Sequence, residues 1–294
     1  MINLMYCGNS GVLDGLLISL SSVSARTSKE IRAYVLTMDL TDKNKKYTPI
    51  TENDANVAQN ILKSKNKNSS VHLIDCRELY LQNLEHSPNA ESSYTPYALL
   101  RLLSDRISEI PDKVLYLDTD TVIVGNIEEL YDTDIENYEY AAVRDYIGKF
   151  FFGFGYINSG VMLLNMKKIR DSGLFAKATE LCAEKKIFLA DQSAINTCTG
   201  SRLLLNRRFN EQKRCYADTV IRHFSMTIRW LPYLHAQNIK PWHPERVKKY
   251  LYKHDYKRVE SFLSEHTGRC AERFAVSEKT TDAIDGETTD RETM

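Results

Sequence analysis

The segment that most constrains this chain is Lys113-Val-Leu-Tyr-Leu117, which runs directly into Asp118-Thr119-Asp120. An apolar run of strand length ends in two carboxylates one residue apart. In an open α/β sheet, ligands gather beyond the carboxyl ends of the strands. Two carboxylates placed there repel each other and lose hydration unless a cation sits between them. Mg²⁺ and Mn²⁺ take oxygen ligands and share their coordination with substrate phosphates. Asp118 and Asp120 therefore read as a clamp for a divalent cation and a diphosphate. The alternative for the same residues is a solvated turn in which Asp serves turn chemistry.

The flanking sequence supplies the sheet that such a site needs. Ile2 to Cys7 predicts a buried strand, followed by turn chemistry at Gly8-Asn9-Ser10-Gly11. Leu13, Leu16, Leu17 and Leu20 recur at helical spacing, so residues 12–24 predict an amphipathic helix. Residues 31–38 and 71–75 predict two further strands, with a helix over 52–63 between them. Strand alternating with helix argues for a parallel sheet covered by helices on both faces. Residues 97–107 are apolar at helical spacing with Arg101 set among them, and an arginine there needs a partner, either a ligand or Asp105 at i+4. Residues 140–143, 160–165 and 219–224 predict later strands, and Asp191 is a candidate N-cap for a helix through Asn196.

Lys+Arg and Asp+Glu both number 39 in the 294 residues, so no global basic field is available to collect nucleic acid. Six scattered cysteines match no zinc or disulfide spacing, which suits reduced thiols in the cytoplasm. The N-terminus lacks the pattern of a signal peptide, and no run approaches the ~18 apolar residues of a membrane span. Lys240 to Arg258 carries seven Lys or Arg against two acids, interleaved with Trp242, Tyr250, Tyr252 and Tyr256. That segment reads either as a peripheral contact with an anionic membrane or as a packed helix with a solvated basic face. Residues 277–294 are rich in Thr, Asp and Glu, and disorder is expected there.

Several short motifs fall into one order: Tyr6-Cys7-Gly8-Asn9, Tyr97-Ala-Leu-Leu-Arg101, Asp112 to Asp120, Gly125-Asn126, Ala141-Ala-Val-Arg-Asp145, Tyr156-Ile-Asn158-Ser159-Gly160, Asp191-Gln192-Ser-Ala-Ile-Asn196, Asn206-Arg-Arg-Phe-Asn210 and Lys240-Pro-Trp242. In that order the chain resembles the retaining glycosyltransferases of family 8, which include bacterial lipopolysaccharide galactosyl- and glucosyltransferases and glycogenin. The resemblance covers roughly residues 1–245, followed by an expected helical extension over 246–276. It implies a GT-A fold, a Rossmann-like mixed α/β sheet flanked by helices. It further implies a UDP-sugar donor, Mn²⁺ or Mg²⁺, a glycan acceptor and retention at the anomeric carbon.

The resemblance also assigns residues. Asp118, Asp120 and His223 would hold the metal, with His235 as the competing histidine because it lies nearer Lys240. Tyr6, Cys7, Asn9, Arg101, Thr119, Asn158, Ser159 and Lys240 would bind the donor together with the two metal aspartates. Gln192, Asp191 and Asp145 would be catalytic, with Gln192 where the family places its candidate nucleophile. An amide is a poor nucleophile, so front-face attack by the acceptor stands beside double displacement. The chain departs from the family in having Gly8 where an Asp is frequent in the first turn.

Two rival functions use the same residues. Asp118-x-Asp120-x-Val122 matches the nucleophile loop of haloacid-dehalogenase-type phosphatases, but the acidic motif that family needs downstream is absent. A non-catalytic binder of sugar nucleotides is the other; it would not need so complete a polar set.

Overall fold

The computed structural model describes residues 1–90, 95–229 and 235–250, together with Lys257, Glu260 and Phe262. In chain order the strands are β1 (Ile2–Cys7), β2 (Ile31–Thr37), β3 (Ser70–Asp75), β4 (Lys113–Leu117), β5 (Thr121–Ile123), β6 (Tyr140–Arg144), β7 (Ile157–Asn165), β8 (Arg202–Leu205), β9 (Ile221–His223), β10 (Thr227–Arg229) and β11 (His235–Gln237). The helices are α1 (Leu13–Ser24), α2 (Glu52–Lys63), α3 (Arg77–Leu84), α4 (Glu128–Tyr131), α5 (Gly148–Phe151), α6 (Met166–Ser172), α7 (Leu174–Glu184), α8 (Ala190–Cys198) and α9 (Pro244–Tyr250). A long 3-10 helix covers Pro96–Arg106.

Seven strands form one sheet in the order β3-β2-β1-β4-β7-β6-β8. β3, β2, β1 and β4 run parallel, which is the doubly wound half that the amino-terminal sequence predicts. β7 alone is reversed: it is antiparallel to both β4 and β6, while β6 and β8 are parallel. The sheet is therefore mixed rather than purely parallel. Strand alternation feeds two cores. Ile2, Leu4 and Tyr6 of β1 pack with α1 and α2 on one face, whereas Met5 joins α3, α7, α8 and the 3-10 helix on the other. Burial on both faces explains why β1 and β4 read as continuous apolar runs.

This topology decides where a ligand can sit. The chain passes from β1 outward to β3 and then returns to place β4 on the other side of β1, so the order reverses between β1 and β4. A crevice opens at the carboxyl ends of strands at such a reversal. Because β7 runs backwards, its amino-terminal residues Ile157 to Gly160 lie beside the carboxyl ends of β4 and β6. A separate ribbon pairs β5 with β9 antiparallel and sets Thr121 opposite His223.

Local details differ from the sequence expectations in four places. The 97–107 segment is 3-10 rather than α-helical and starts at Pro96, whose fixed φ suits a first helical position. Asp191 is not the N-cap of α8; Leu189 holds that place at φ 51, and Asp191 lies in the first turn. The strand expected over 219–224 is confined to Ile221–His223. The carboxyl-terminal helix begins at Pro244, ahead of the expected 246. Most of the expected 246–276 extension beyond Tyr250 and all of 277–294 lie outside the described residues. Among the described residues, no helix is long and apolar enough to cross a membrane.

Candidate active site

A cleft of about 960 Å³ opens where β1, β4, β6 and the start of β7 converge. Its lining includes Cys7, Asn9, Arg101, Asp118, Thr119, Asp120, Asp145, Asn158, Ser159, Asp191, Gln192, His223 and Lys240. Of the residues the sequence points to, Tyr6 is the exception. The pleat of β1 sends its ring to the opposite core, where it is fully buried and its hydroxyl shares a hydrogen bond of 3.0 Å with Ser19 Oγ. Cys7, one residue on, faces the cleft instead.

Asp118 and Asp120 each commit one oxygen to a cation of the protein and turn the other toward His223. Arg101 Nη2 donates to Asp118 Oδ1 at 2.9 Å, and Tyr116 Oη donates to the same oxygen at 2.7 Å. Asp118 Oδ2 lies 3.7 Å from His223 Nε2. Lys240 Nζ pairs with Asp120 Oδ2, while Asp120 Oδ1 lies 3.1 Å from His223 Nε2. Burial alone would raise the Asp120 pKa, but the Lys240 ammonium and, after it, His223 outweigh burial and hold the carboxyl well below the usual carboxylate range.

Ligand atoms of Asp118, Asp120 and His223 all lie within 4.8 Å of one another. Asp120 Oδ1 is buried and makes no hydrogen bond. An orphaned carboxylate oxygen in a protein interior is costly. Two oxygens and one imidazole nitrogen converging on one point fit a divalent cation. His223 reaches that point through the β5–β9 pairing. His235 instead lies in β11, opposite Arg229.

A chain of side-chain hydrogen bonds selects the tautomer of His223. Asp145 Oδ2 accepts from Asn158 Nδ2 at 3.0 Å, and a carboxylate can only accept there. Asn158 Oδ1 accepts from Gly160 N at 3.1 Å and from Asn210 Nδ2 at 2.9 Å. A backbone N–H can only donate, so the Asn158 amide is fixed from both ends. Asn210 must then turn Oδ1 to His223 Nδ1, 3.0 Å away. Nδ1 carries the proton, and in the neutral ring Nε2 presents its lone pair to the two aspartates. Partner groups of this kind orient metal-binding histidines.

Arg101 ties the remaining carboxylate into the site. Its Nε pairs with Asp191 Oδ2 at 3.2 Å, its Nη1 donates to Ser159 O at 2.6 Å, and its guanidinium stacks 4.0 Å above the Tyr116 ring. The i+4 partner Asp105 that the sequence offered is not used. Burial raises the Asp191 pKa, opposed by Arg101. Gln192 is engaged at both ends: Oε1 accepts from Ser159 N at 3.1 Å and Nε2 donates to Asp145 Oδ2 at 3.2 Å.

Two glycines let these elements approach. A Cβ on Gly160 would stand 2.2 Å from His223 Cε1 and 2.6 Å from Asp118 Oδ2. A Cβ on Gly15 of α1 would meet the Trp242 ring at 2.5 Å, so this helical glycine is the seat on which Trp242 holds the Lys240 segment. Gly160 stands in a motif that fits the resemblance, without an assigned role, and Gly15 stands in none. Tyr116 was hidden as one more apolar strand residue. Asn210 stands in a motif that fits the resemblance, without an assigned role.

Comparisons with known proteins report on the family and the fold. The sequence pattern of Glycosyl transferase family 8 matches residues 3–246. Glycosyltransferase GlyA of Streptococcus pneumoniae is 37% identical over 109 residues, 36% of this chain and 15% of that protein. The lipopolysaccharide 1,3-galactosyltransferase of Salmonella typhimurium is 27% identical over 194 residues, 59% of this chain and 55% of that protein. The chain thus spans less than two thirds of these relatives' own length. Among solved structures, galactosyltransferase LgtC in complex with donor and acceptor sugar analogues superposes with a TM-score of 0.66 at 20% identity, covering 90% of this chain and 96% of that one. At that identity the likeness shows a shared GT-A fold.

Proposed function

This chain belongs to Glycosyl transferase family 8, and on that premise we propose that it transfers a hexose, glucose or galactose, from a UDP-sugar to a glycan or lipid-linked glycan hydroxyl. Transfer retains the anomeric configuration and depends on Mn²⁺ or Mg²⁺. The family sets aside the phosphatase reading of Asp118, and the names of the Salmonella relative and of LgtC favour a hexose. The observation that carries the proposal is the convergence of Asp118 Oδ2, Asp120 Oδ1 and His223 Nε2 on one point.

Asp118, Asp120 and His223 would hold a divalent ion, which would supply positive charge to the diphosphate leaving group. Lys240, beside Asp120, offers a second positive charge to the same phosphates. Cys7 at the end of β1 and Asn9 just after it, both in the cleft lining, are the side chains we assign to the nucleoside, and Thr119 lies between the two metal aspartates. Arg101 fixes Asp118 and Asp191 relative to each other. Asn158, Ser159, Asp191 and Gln192 line the part of the cleft suited to a hydroxyl-rich ring.

Front-face transfer suits this arrangement better than double displacement. The Gln192 oxygen already accepts the Ser159 N–H, and its amide nitrogen is held by Asp145, so it is built to position rather than to attack. In the front-face course the acceptor hydroxyl oxygen bonds to the anomeric carbon from the side the diphosphate leaves. The anomeric C–O bond to the diphosphate breaks, and the hydroxyl proton passes to the departing phosphate oxygen. Such an enzyme would work in the cytoplasm.

A thermal-shift panel of nucleotide sugars, with and without Mn²⁺, tests the proposal. Stabilisation by a UDP-hexose only when metal is present, accompanied by metal-dependent release of UDP, is expected. Equal stabilisation without metal, or binding with no UDP release, would leave a non-catalytic binder and end the transferase reading.

A further inference from the structure

The rim of the cleft carries aromatic rings that the transfer chemistry does not use. Within Lys149-Phe-Phe-Phe-Gly-Phe154, Phe150 is 71% exposed, Phe151 75%, Phe152 50% and Phe154 75%, and Phe188 on the neighbouring loop is 67% exposed. Phe152 stacks on Phe188 with centroids 6.3 Å apart and on Tyr156 at 4.7 Å, so the two loops form one patch. Gly153, at φ 102 with open space around it, turns the chain at the tip. A contiguous exposed apolar patch of this kind marks an interaction surface.

The direction of the rings narrows the partner. Phe151, Phe152 and Phe188 line the mouth of the cleft, whereas Phe150 and Phe154 do not. A subsite for one sugar would employ only the rings that face the cleft. Rings that continue onto the open surface need an extended apolar partner. The patch is also bordered by cations in a chain with no net charge. Lys149 Nζ lies 5.1 Å from the Phe150 ring and 5.7 Å from the Tyr146 ring. Lys213 Nζ donates to Tyr146 Oη at 3.1 Å. Arg144 ends β6 and Lys185 and Lys186 follow α7, all three exposed, against the exposed acid Glu184 at the end of α7. Aromatic rings framed by Lys and Arg are the composition of a surface that seats in the headgroup region of an anionic bilayer.

We propose that the cleft mouth docks on an anionic phospholipid bilayer through Phe150, Phe154 and Phe188, with the flanking lysines against the headgroups. The bilayer then presents a lipid-borne acceptor hydroxyl at the open side of the donor site. This last consequence rests on the transferase reading; the docking itself does not.

Vesicle flotation of the full chain tests it, with vesicles of phosphatidylcholine alone and of phosphatidylcholine with phosphatidylglycerol. The unsubstituted protein floats with the anionic vesicles and dissociates as salt is raised. The double variant Phe150→Ser with Phe154→Ser floats at least tenfold less well, and Lys185→Glu with Lys186→Glu loses the preference for phosphatidylglycerol. These side chains are exposed, so the variants keep the melting temperature of the parent. Failure of the parent to float, or equal flotation of the phenylalanine variant, overturns the proposal. A raised KM for a soluble glycan acceptor with unchanged flotation also overturns it, by making the patch a glycan surface. Metal-dependent UDP release measured without vesicles reports on the transferase reading separately and stays unchanged in the phenylalanine variant.

Discussion

Arg101 Nη2 meets Asp118 Oδ1 at 2.9 Å, which leaves Asp118 Oδ2 as the oxygen turned toward His223. The carboxylate thereby gives one oxygen to Arg101 and leaves the other for the proposed cation. The same arginine also holds Asp191 and the Ser159 carbonyl, so three parts of the site share one buried cation.

Replacing Arg101 by Met should therefore cost stability as well as activity. Removing one partner from a buried ion pair costs about 3–5 kcal/mol, and the partly exposed Asp118 places the expected loss near the lower end. Arg101→Lys should recover little, because an ammonium cannot make the three directed contacts. Urea unfolding measures both variants. A loss below about 1 kcal/mol for Arg101→Met would contradict the role given to the pair, since that is the scale of an exposed one.

Gly160→Ala should disable the metal site while the sheet survives. The added methyl would press on His223 Cε1 and Asp118 Oδ2 together. Disturbing the orientation of metal ligands lowers affinity by roughly 10–100-fold. Mn²⁺ titration followed by the paramagnetic resonance of the free ion reads the affinity, with circular dichroism as the check on folding. Unchanged affinity would mean that the two side chains do not act at this point.

Asn210 should govern Mn²⁺ affinity without touching the ion. Asn210→Leu removes the acceptor that holds His223 Nδ1–H, and a loss of roughly 10–100-fold is expected. Asn210→Asp keeps that acceptor but loses the Nδ2 donor to Asn158 Oδ1, so it should lose less than Asn210→Leu, below about tenfold. Histidine ring ¹⁵N spectra of the metal-free protein should show Nδ1 of His223 protonated in the parent. Equal affinities for the two variants would remove the relay from Asp145 as a determinant.

Glu139 gives a pH dependence remote from the cleft. Its burial would raise its pKa, but hydrogen bonds from Ser172, Thr199 and the Gly200 and Ser201 amides outweigh this and lower it. The folded state therefore binds its proton less readily than the unfolded chain. The stabilisation is complete above the unfolded value of about 4.3 and disappears as pH falls through the lower folded value. Glu139→Gln should flatten this part of the acid unfolding curve and leave the profile near neutrality parallel to the parent. An unchanged acid limb in the variant would contradict the assignment.

The sequence carried most of the sheet, because β1, β2 and β4 are apolar runs of strand length and the helices between them have helical spacing, with ends marked by turn residues or, at Thr51, by a capping box. Asp118, Asp120 and Arg101 could be singled out because charge at the end or in the middle of an apolar run needs a partner. Which partner was not legible. Asp105 at i+4 and the distant Asp118 and Asp191 are equally available to Arg101 until the fold is known. His223 could not be separated from His235, because the choice depends on the β5–β9 pairing between residues about a hundred positions apart. Tyr6 was misplaced by one step of the strand pleat. Gly160 and Gly15 act by what they lack, and a sequence shows that only when the neighbouring side chains are in place.

The central claim is that Asp118, Asp120 and His223 hold one divalent cation against a diphosphate. An anomalous difference map from crystals grown with Mn²⁺ and UDP tests it directly. A single peak within coordinating distance of Asp118 Oδ2, Asp120 Oδ1 and His223 Nε2, touching both phosphates and lost in Asp118→Asn with Asp120→Asn, is the expected result. UDP bound in the cleft with no peak at these three atoms, or with the peak elsewhere, would contradict it.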